Sequence, residues 1–87
     1  MPFTINYDRR VVEKHIPKIP SANKGQISRA INERLTADPV GFGKPLMGEF
    51  AGMRRLRVGD WRVIYQIDGE TVYIRAIMLR RDAYKGW

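Results

Sequence analysis

The stretch from residue 53 to residue 79, MRRLRVGDWRVIYQIDGETVYIRAIML, decides the fold. It contains three runs rich in β-branched and aromatic residues, which favour extended structure. The runs span residues 53–58, 61–68 and 71–79. Gly59 with Asp60 separates the first two runs, and Asp68 with Gly69 separates the last two, as in tight hairpin turns. The stretch therefore predicts an antiparallel meander of three strands, with Asp68-Gly69 at the tip of its second hairpin.

The residues before the meander show other periodicities. Residues 3–7 alternate apolar and polar side chains, which predicts a half-buried strand. Residues 9–16 and 21–35 carry apolar residues at helical spacing, which predicts two helices, the first ended by Pro17. Residues 39–52 are rich in glycine and proline and predict a loop with one short strand.

The element order is therefore β-α-α-β-β-β, which indicates the α+β class. The natural packing is an antiparallel β-sheet with an αα-hairpin on one face, and the first strand paired within the same sheet. Two helices can cover only one face of such a sheet. The other face is then either solvated or the working surface of the protein.

Length and composition exclude several classes of site. The chain has 87 residues, which predicts a single domain spanning residues 1–87. It has no cysteine, which excludes disulfides, thiolate zinc sites and cysteine nucleophiles. Its one histidine, His15, excludes a two-histidine metal site and is expected at the surface. No pair of carboxylates stands out as an acid/base pair, so no metal or cofactor is expected.

The charge balance indicates the kind of partner. Sixteen Lys and Arg against nine Asp and Glu give a net charge of +7. A small domain this basic is expected to bind nucleic acid or an acidic protein, although the same charge could serve solubility alone. Uncharged stretches are too short to span a bilayer and the N-terminus has no signal-peptide pattern, so we expect a cytoplasmic protein without a membrane partner.

Three arginines of the meander are predicted to share the open face of the sheet. In the first strand, Arg55 and Arg57 alternate with apolar residues that favour the core. In the second strand, every second residue from Trp61 onward is apolar and favours the core. Arg62 belongs to the other set of alternating residues, so it falls on the open face with Arg55 and Arg57. Converging guanidinium groups bind phosphate well; the alternative is a row of solvated arginines. The assignment depends on register, which a bulge would reverse.

The C-terminal tail mixes basic and aromatic residues. These residues are Arg80, Arg81, Tyr84, Lys85 and Trp87. Such a mixture suits nucleotides, because a base stacks on an aromatic ring while a cation meets the phosphate. Ordinary packing of the chain terminus against the core is an equally good interpretation.

Two segments resemble the RelE/ParE superfamily of bacterial type II toxins. Residues 55–65 read RLRVGDWRVIY, where members typically read RLRVGDYRVIY. Residues 79–84 read LRRDAY, where members usually carry H-R-R-D-x-Y. The helix end at Asp38-Pro39 and the element order also fit, so the resemblance covers almost the whole chain.

The resemblance implies one of three activities. RelE-like members are ribosome-dependent endoribonucleases that cleave mRNA in the decoding site through the ribose 2′-OH and so inhibit translation. ParE-like members share the fold but poison DNA gyrase and cleave nothing. A degenerate member would only bind its antitoxin. In every case the resemblance implies a cognate antitoxin, usually acidic and encoded by the adjacent gene, in a toxin–antitoxin hetero-oligomer of the kind that stabilises plasmids.

The resemblance to the RelE-like branch also implies roles for single residues. Arg62 matches the arginine that binds the scissile phosphate, and Arg55 and Arg57 match basic positions that contact phosphate and assist proton transfer. Arg80 and Tyr84 match the arginine and tyrosine of the terminal motif, with Tyr84 positioning the nucleotide. We therefore expect Arg62, Arg80 and Tyr84 to be catalytic. The expected RNA- or phosphate-binding residues are Arg55, Arg57, Arg81 and Lys85.

The sequence departs from that branch in ways that affect proton transfer. Arginine at positions 55 and 57 stabilises a charged transition state but is a poor general base, because a guanidinium group keeps its proton at neutral pH. Leu79 stands where the family often has a histidine. Tyr84 is then the best candidate for proton transfer, helped by neighbouring cations. Catalysis would be mostly electrostatic and positional, which predicts a poor nuclease on free RNA.

Overall fold

The computed structural model describes residues 2–83 and contains a five-stranded β-sheet with the order β1-β5-β4-β3-β2. The strands span Thr4–Tyr7 (β1), Lys44–Pro45 (β2), Arg54–Val58 (β3), Trp61–Asp68 (β4) and Thr71–Leu79 (β5). The predicted α+β class is confirmed. The sheet is mixed, however, because β1 runs parallel to β5 while the other neighbours are antiparallel. A strand of four residues carries no pattern that would fix its direction against a distant partner.

The meander forms as predicted from the alternation of its side chains. Val58 pairs with Trp61, and Asp68 pairs with Thr71, so each hairpin closes through a turn of two residues. The turns are Gly59-Asp60 and Gly69-Glu70. The tip of the second hairpin therefore lies one residue later than predicted, because Asp68 still takes part in the ladder.

Two helical regions follow β1. The helical segments are Val11–His15, Ile16–Lys18, Ser21–Ala30 and Ile31–Leu35. The first two form the first helix, which ends just after Pro17, where Ile19 is extended. Pro17 lies in the first turn of its 3-10 segment, where a missing N–H costs little. None of the helices formed by residues 2–83 could span a membrane.

The predicted loop at residues 39–52 holds three short elements. These are the helical turn Pro39–Phe42, the edge strand Lys44–Pro45 and the 3-10 turn Gly48–Phe50. The Asp38 carboxylate caps the first turn by accepting a hydrogen bond from the Gly41 N–H at 2.9 Å. Tyr65 donates its hydroxyl to the carbonyl of Pro39, which ties this segment to the sheet.

The core lies between the helices and one face of the sheet. The buried residues of the helices are Val11, Ile27, Ala30, Ile31 and Leu35. Those of the sheet are Leu56, Val58, Trp61, Val63, Tyr65, Val72, Ile74 and Ile77. Each large aliphatic side chain buried here stabilises the fold by about 1.5–3 kcal/mol. The opposite face of the sheet is turned away from the helices.

A β-bulge interrupts the β4–β5 ladder between Ile64 and Tyr65, which follow Arg62 in the chain. Ile64 pairs with Ala76 but the next residue, Tyr65, pairs with Ile74, so Arg75 is the extra residue. The Arg75 guanidinium donates to both oxygens of the Asp8 carboxylate at 3.0 and 3.1 Å and to Gln66. The bulge is thus fastened to the end of β1, and it leaves the register of β3 against β4 unbroken.

Candidate functional site

Three arginines lie on the face of the sheet away from the helices. Arg57 lies directly opposite Arg62 in the β3–β4 ladder, and Arg55 lies two residues earlier on the same face. Between them, Leu56 and Val63 face each other across the same ladder and point into the core. The register therefore confirms that the three arginines share the face opposite the core, although Arg62 is buried there and not open to solvent.

A fourth arginine completes a basic depression at one end of this face. The depression has a volume of about 270 Å³. Its lining consists of Arg55, Arg57, Arg62, Arg80 and Ala83. Four like charges around one hollow repel one another, and an anion in the hollow removes that cost. Because guanidinium groups are planar forks that match phosphate oxygens, this arrangement can bind a phosphate through several donors at once.

Arg62 is the buried member of the set. Arg62 is 6% exposed, and among residues 2–83 it is the only charged residue that is buried. Its Nη1 donates to the carbonyl of Gly59 and to the carbonyl of Trp61, each at 2.8 Å. These bonds fix the plane of the guanidinium, so Arg62 is oriented before any ligand arrives.

Arg55 and Arg57 differ from Arg62 in their surroundings. Arg55 is half-buried, between Ile64 of β4 and Lys44 of the edge strand β2. Arg57 is exposed, one residue before the end of β3. Lys44 thus adds a further positive charge beside the depression, at the edge of the sheet.

The two terminal arginines differ in their relation to the basic depression. Arg80 and Arg81 belong to the 3-10 turn Arg80–Asp82, which follows β5 directly. The backbone N–H of Arg80 donates to the Asp60 carbonyl at 2.7 Å, which holds this turn against the β3–β4 hairpin. Arg80 and Arg81 both line a second depression with Asp60 and Leu79, but only Arg80 also lines the one that contains Arg62. The two remaining tail residues of the predicted site, Tyr84 and Lys85, lie outside the described residues.

The described residues supply no general base to the basic depression, whose lining there consists of arginines and one alanine. Burial raises the pKa of Tyr65 and of Tyr7, which keeps both phenols protonated. Within residues 2–83, no group of three or more His, Cys, Asp or Glu side chains could hold a metal ion. The arrangement can therefore bind and polarise a phosphate, and a proton carrier must come from elsewhere.

Sequence reasoning missed two contacts around this site. The Gly59-Asp60 signal predicts the turn, but nothing in the sequence shows that the carbonyls of Gly59 and Trp61 accept hydrogen bonds from Arg62. His15 is half-buried, and its Nδ1 accepts a hydrogen bond from the Ile77 N–H at 3.1 Å, on the edge of β5 beyond the end of β1. Its pKa is lowered by burial and by the nearby charges of Arg10 and Lys18, which favours the neutral acceptor form.

Comparison with known proteins identifies the family. A sequence model described as the ParE toxin of the parDE type II toxin–antitoxin system matches residues 9–84. Toxin RelG of Mycobacterium tuberculosis is 36% identical over 90 residues, which cover 98% of this chain and 99% of that protein. The chain belongs to the RelE/ParE superfamily of type II toxins.

Solved structures of this superfamily share the fold of the chain. The toxin–antitoxin complex RelBE2 of Mycobacterium tuberculosis contains a chain with a TM-score of 0.85 and 28% identity, over 92% of this chain and 100% of that chain. A mutant of Escherichia coli toxin RelE in the free state has a TM-score of 0.73 at 18% identity, over 95% of this chain and 88% of that chain. The second likeness concerns the fold alone.

The basic depression brings together the two segments on which the resemblance to the RelE/ParE superfamily rests. Arg55, Arg57 and Arg62 come from the first segment, and Arg80 comes from the terminal one. Leu79, which replaces the frequent histidine, pairs with Trp61 and packs against the core. The departure at position 79 therefore places an apolar contact where an imidazole was expected.

Proposed function

We propose that this toxin is a RelE-like endoribonuclease that cleaves mRNA on the ribosome and so inhibits translation. The observation that carries the proposal is the basic depression, in which Arg62 is buried and oriented beside three further arginines. A surface that served only solubility would gain nothing from burying one of its arginines among others.

The cleavage follows from the chemistry of RNA. The ribose 2′-oxygen attacks the adjacent phosphorus, a new oxygen–phosphorus bond forms, and the bond to the 5′-oxygen of the next nucleotide breaks. The 2′-hydroxyl loses its proton, the 5′-oxygen gains one, and a cyclic phosphate remains. Negative charge grows on the phosphoryl oxygens in the transition state, so Arg62 and Arg80, supported by Arg55 and Arg57, stabilise the transition state more than the ground state.

Within this proposal, proton transfer is assigned to Tyr84, the tyrosine of the terminal motif. Arginine cannot take this role at neutral pH. With a weak proton carrier, most of the rate must come from alignment of the 2′-oxygen with the scissile bond. The ribosome supplies that alignment, so we expect little cleavage of free RNA.

The proposal includes an acidic antitoxin as the regulatory partner, bound in a hetero-oligomer in the cytoplasm. Two observations support it. The similar chain of the Mycobacterium tuberculosis RelBE2 structure is part of a toxin–antitoxin complex. The net charge of +7 favours a partner of opposite charge.

A ParE-like toxin that binds DNA gyrase is the second candidate. The family model that matches residues 9–84 carries the ParE description, and Leu79 removes the imidazole typical of the terminal motif. On this alternative, the basic depression is a protein-binding surface and Tyr84 carries no chemistry.

Expression in cells without the antitoxin separates the two candidates. The nuclease predicts that incorporation of labelled amino acids stops within minutes, before any induction of the DNA-damage response. Early DNA-damage signalling with continued translation would replace the nuclease by the gyrase-directed toxin. An inactive, folded protein would indicate a member that only binds its antitoxin.

A further inference from the structure

The turn between β3 and β4 contacts two arginines of the basic depression. The carbonyls of Gly59 and Trp61 accept hydrogen bonds from the Arg62 guanidinium, each at 2.8 Å. The carbonyl between them, that of Asp60, accepts the backbone N–H of Arg80 at 2.7 Å. Three successive carbonyl groups thus connect one hairpin turn to both Arg62 and Arg80.

The direction of these carbonyls depends on the backbone conformation of Gly59. Gly59 has φ of +60°, in the left-handed region that side chains with a β-carbon disfavour. A β-carbon built at this position meets nothing within 4 Å, so packing does not require a glycine here. The requirement is conformational: another residue would pull the turn toward a different geometry and swing its carbonyls away from Arg62.

We propose that Gly59 is a positioning residue of the site, which sets the orientation of Arg62 and its spacing from Arg80 through the carbonyls of residues 59–61. A guanidinium carries its N–H groups in one rigid plane, so holding Nη1 fixes the direction in which the others point. Arg62 is thereby presented to phosphate in one orientation. The activity part of this inference rests on the proposed nuclease function; the effect on Arg62 itself does not.

The second hairpin provides a matched control. Gly69 also opens a two-residue turn, is also followed by an acidic residue, and has φ of +62° with nothing within 4 Å of a built β-carbon. It lies at the opposite end of β4 from Gly59 and does not line the basic depression. Gly69→Ala therefore adds the same backbone strain without touching the arginines.

The structural test observes the Arg62 side chain by nitrogen-15 NMR in Gly59→Ala, Gly69→Ala and the wild-type toxin. Held by two carbonyls, the Arg62 Nη1 protons should exchange slowly in the wild type and in Gly69→Ala, and quickly in Gly59→Ala. Gly59→Asn should restore slow exchange in part, because asparagine enters the left-handed region more readily than alanine. Unchanged exchange in Gly59→Ala, or equal changes in both alanine variants, would overturn the proposal.

The activity test measures single-turnover cleavage of mRNA on ribosomes by the same variants. Gly59→Ala should slow cleavage about tenfold or more, while Gly69→Ala stays within about twofold of the wild type and Gly59→Asn lies between. Equal slowing by both alanine variants would contradict the positioning role. If the wild type cleaves nothing, the nuclease proposal fails, and the NMR comparison still decides whether Gly59 positions Arg62.

Discussion

The arginines of the site are not equivalent, and burial separates them. Arg62 is 6% exposed and held by backbone carbonyls, so its removal disturbs both the site and the hairpin. Arg57 is exposed and lines the same depression, so its removal should disturb the site alone. Exposed arginines contribute little to folding stability because water screens their charge.

This difference gives a prediction at Arg57 with Arg81 as its control. Both arginines are exposed, but only Arg57 lines the depression that contains Arg62. Arg57→Ala should slow ribosome-dependent cleavage about tenfold or more, since one donor to the phosphoryl oxygens is lost. Arg81→Ala should stay within about twofold, and the unfolding midpoints of both variants should match that of the wild type. Equal losses of cleavage would mean that net charge, not the depression, governs activity.

At the scale of elements, a histidine side chain accepts a hydrogen bond from the part of the β5 edge that β1 does not cover. β1 ends at Tyr7, opposite Ile74, and the backbone of β5 continues for several residues beyond it. There the Nδ1 atom of His15 accepts the Ile77 N–H. A protonated imidazole has no lone pair at Nδ1 and cannot accept this bond.

The stability of the fold should therefore depend on the charge of His15. Its pKa in the folded protein is lowered, first by burial, from an ordinary value of about 6.5. The unfolded chain binds the proton first as the pH falls, so the stabilisation is complete above about pH 6.5 and is lost below it. Urea unfolding of the wild type should show a declining free energy of unfolding from pH 7.5 to pH 5.5. His15→Gln, which keeps an acceptor but cannot titrate, should flatten that decline; the same slope in both proteins would refute the assignment.

The sequence of this toxin predicts the bounds of its strands better than it predicts which distant strands pair with each other. Alternation and glycine turns predicted β4 and β5 with their correct bounds, and with them the shared face of Arg57 and Arg62. The parallel pairing of β1 with β5 was not predictable, since hydrogen bonds between distant segments leave no periodic signal. Arg80 lines the depression that contains Arg62 and Arg81 does not, because successive side chains of a 3-10 turn point about 120° apart.

At the scale of the whole molecule, the excess of positive charge affects how the toxin associates with a partner of opposite charge. A net charge of +7 attracts a partner of opposite charge over distances of about a Debye length, and salt shortens that distance. Within the site, the same antitoxin would compete with RNA for the four arginines of the depression.

The rate of antitoxin binding should therefore fall as salt increases. Stopped-flow measurements between about 50 mM and 500 mM salt should show an association rate constant that drops about tenfold or more, with a much smaller change in the dissociation rate. Arg57→Ala should weaken this dependence. An association rate that salt leaves unchanged would mean that apolar contacts, not charges, guide the antitoxin.

Cleavage of mRNA at the basic depression is the central claim, and one measurement tests it directly. Purified toxin is incubated with mRNA-programmed ribosomes, and new 5′ ends are mapped by primer extension, with free mRNA in parallel. Arg29→Ala, which removes an exposed arginine of the second helix, is the charge-matched control for Arg62→Ala. We predict cuts in the decoding site by the wild type and Arg29→Ala, about a hundredfold fewer with Arg62→Ala, and almost none on free mRNA. Undiminished cuts with folded Arg62→Ala, or none with a wild-type toxin that still arrests growth, would contradict the account.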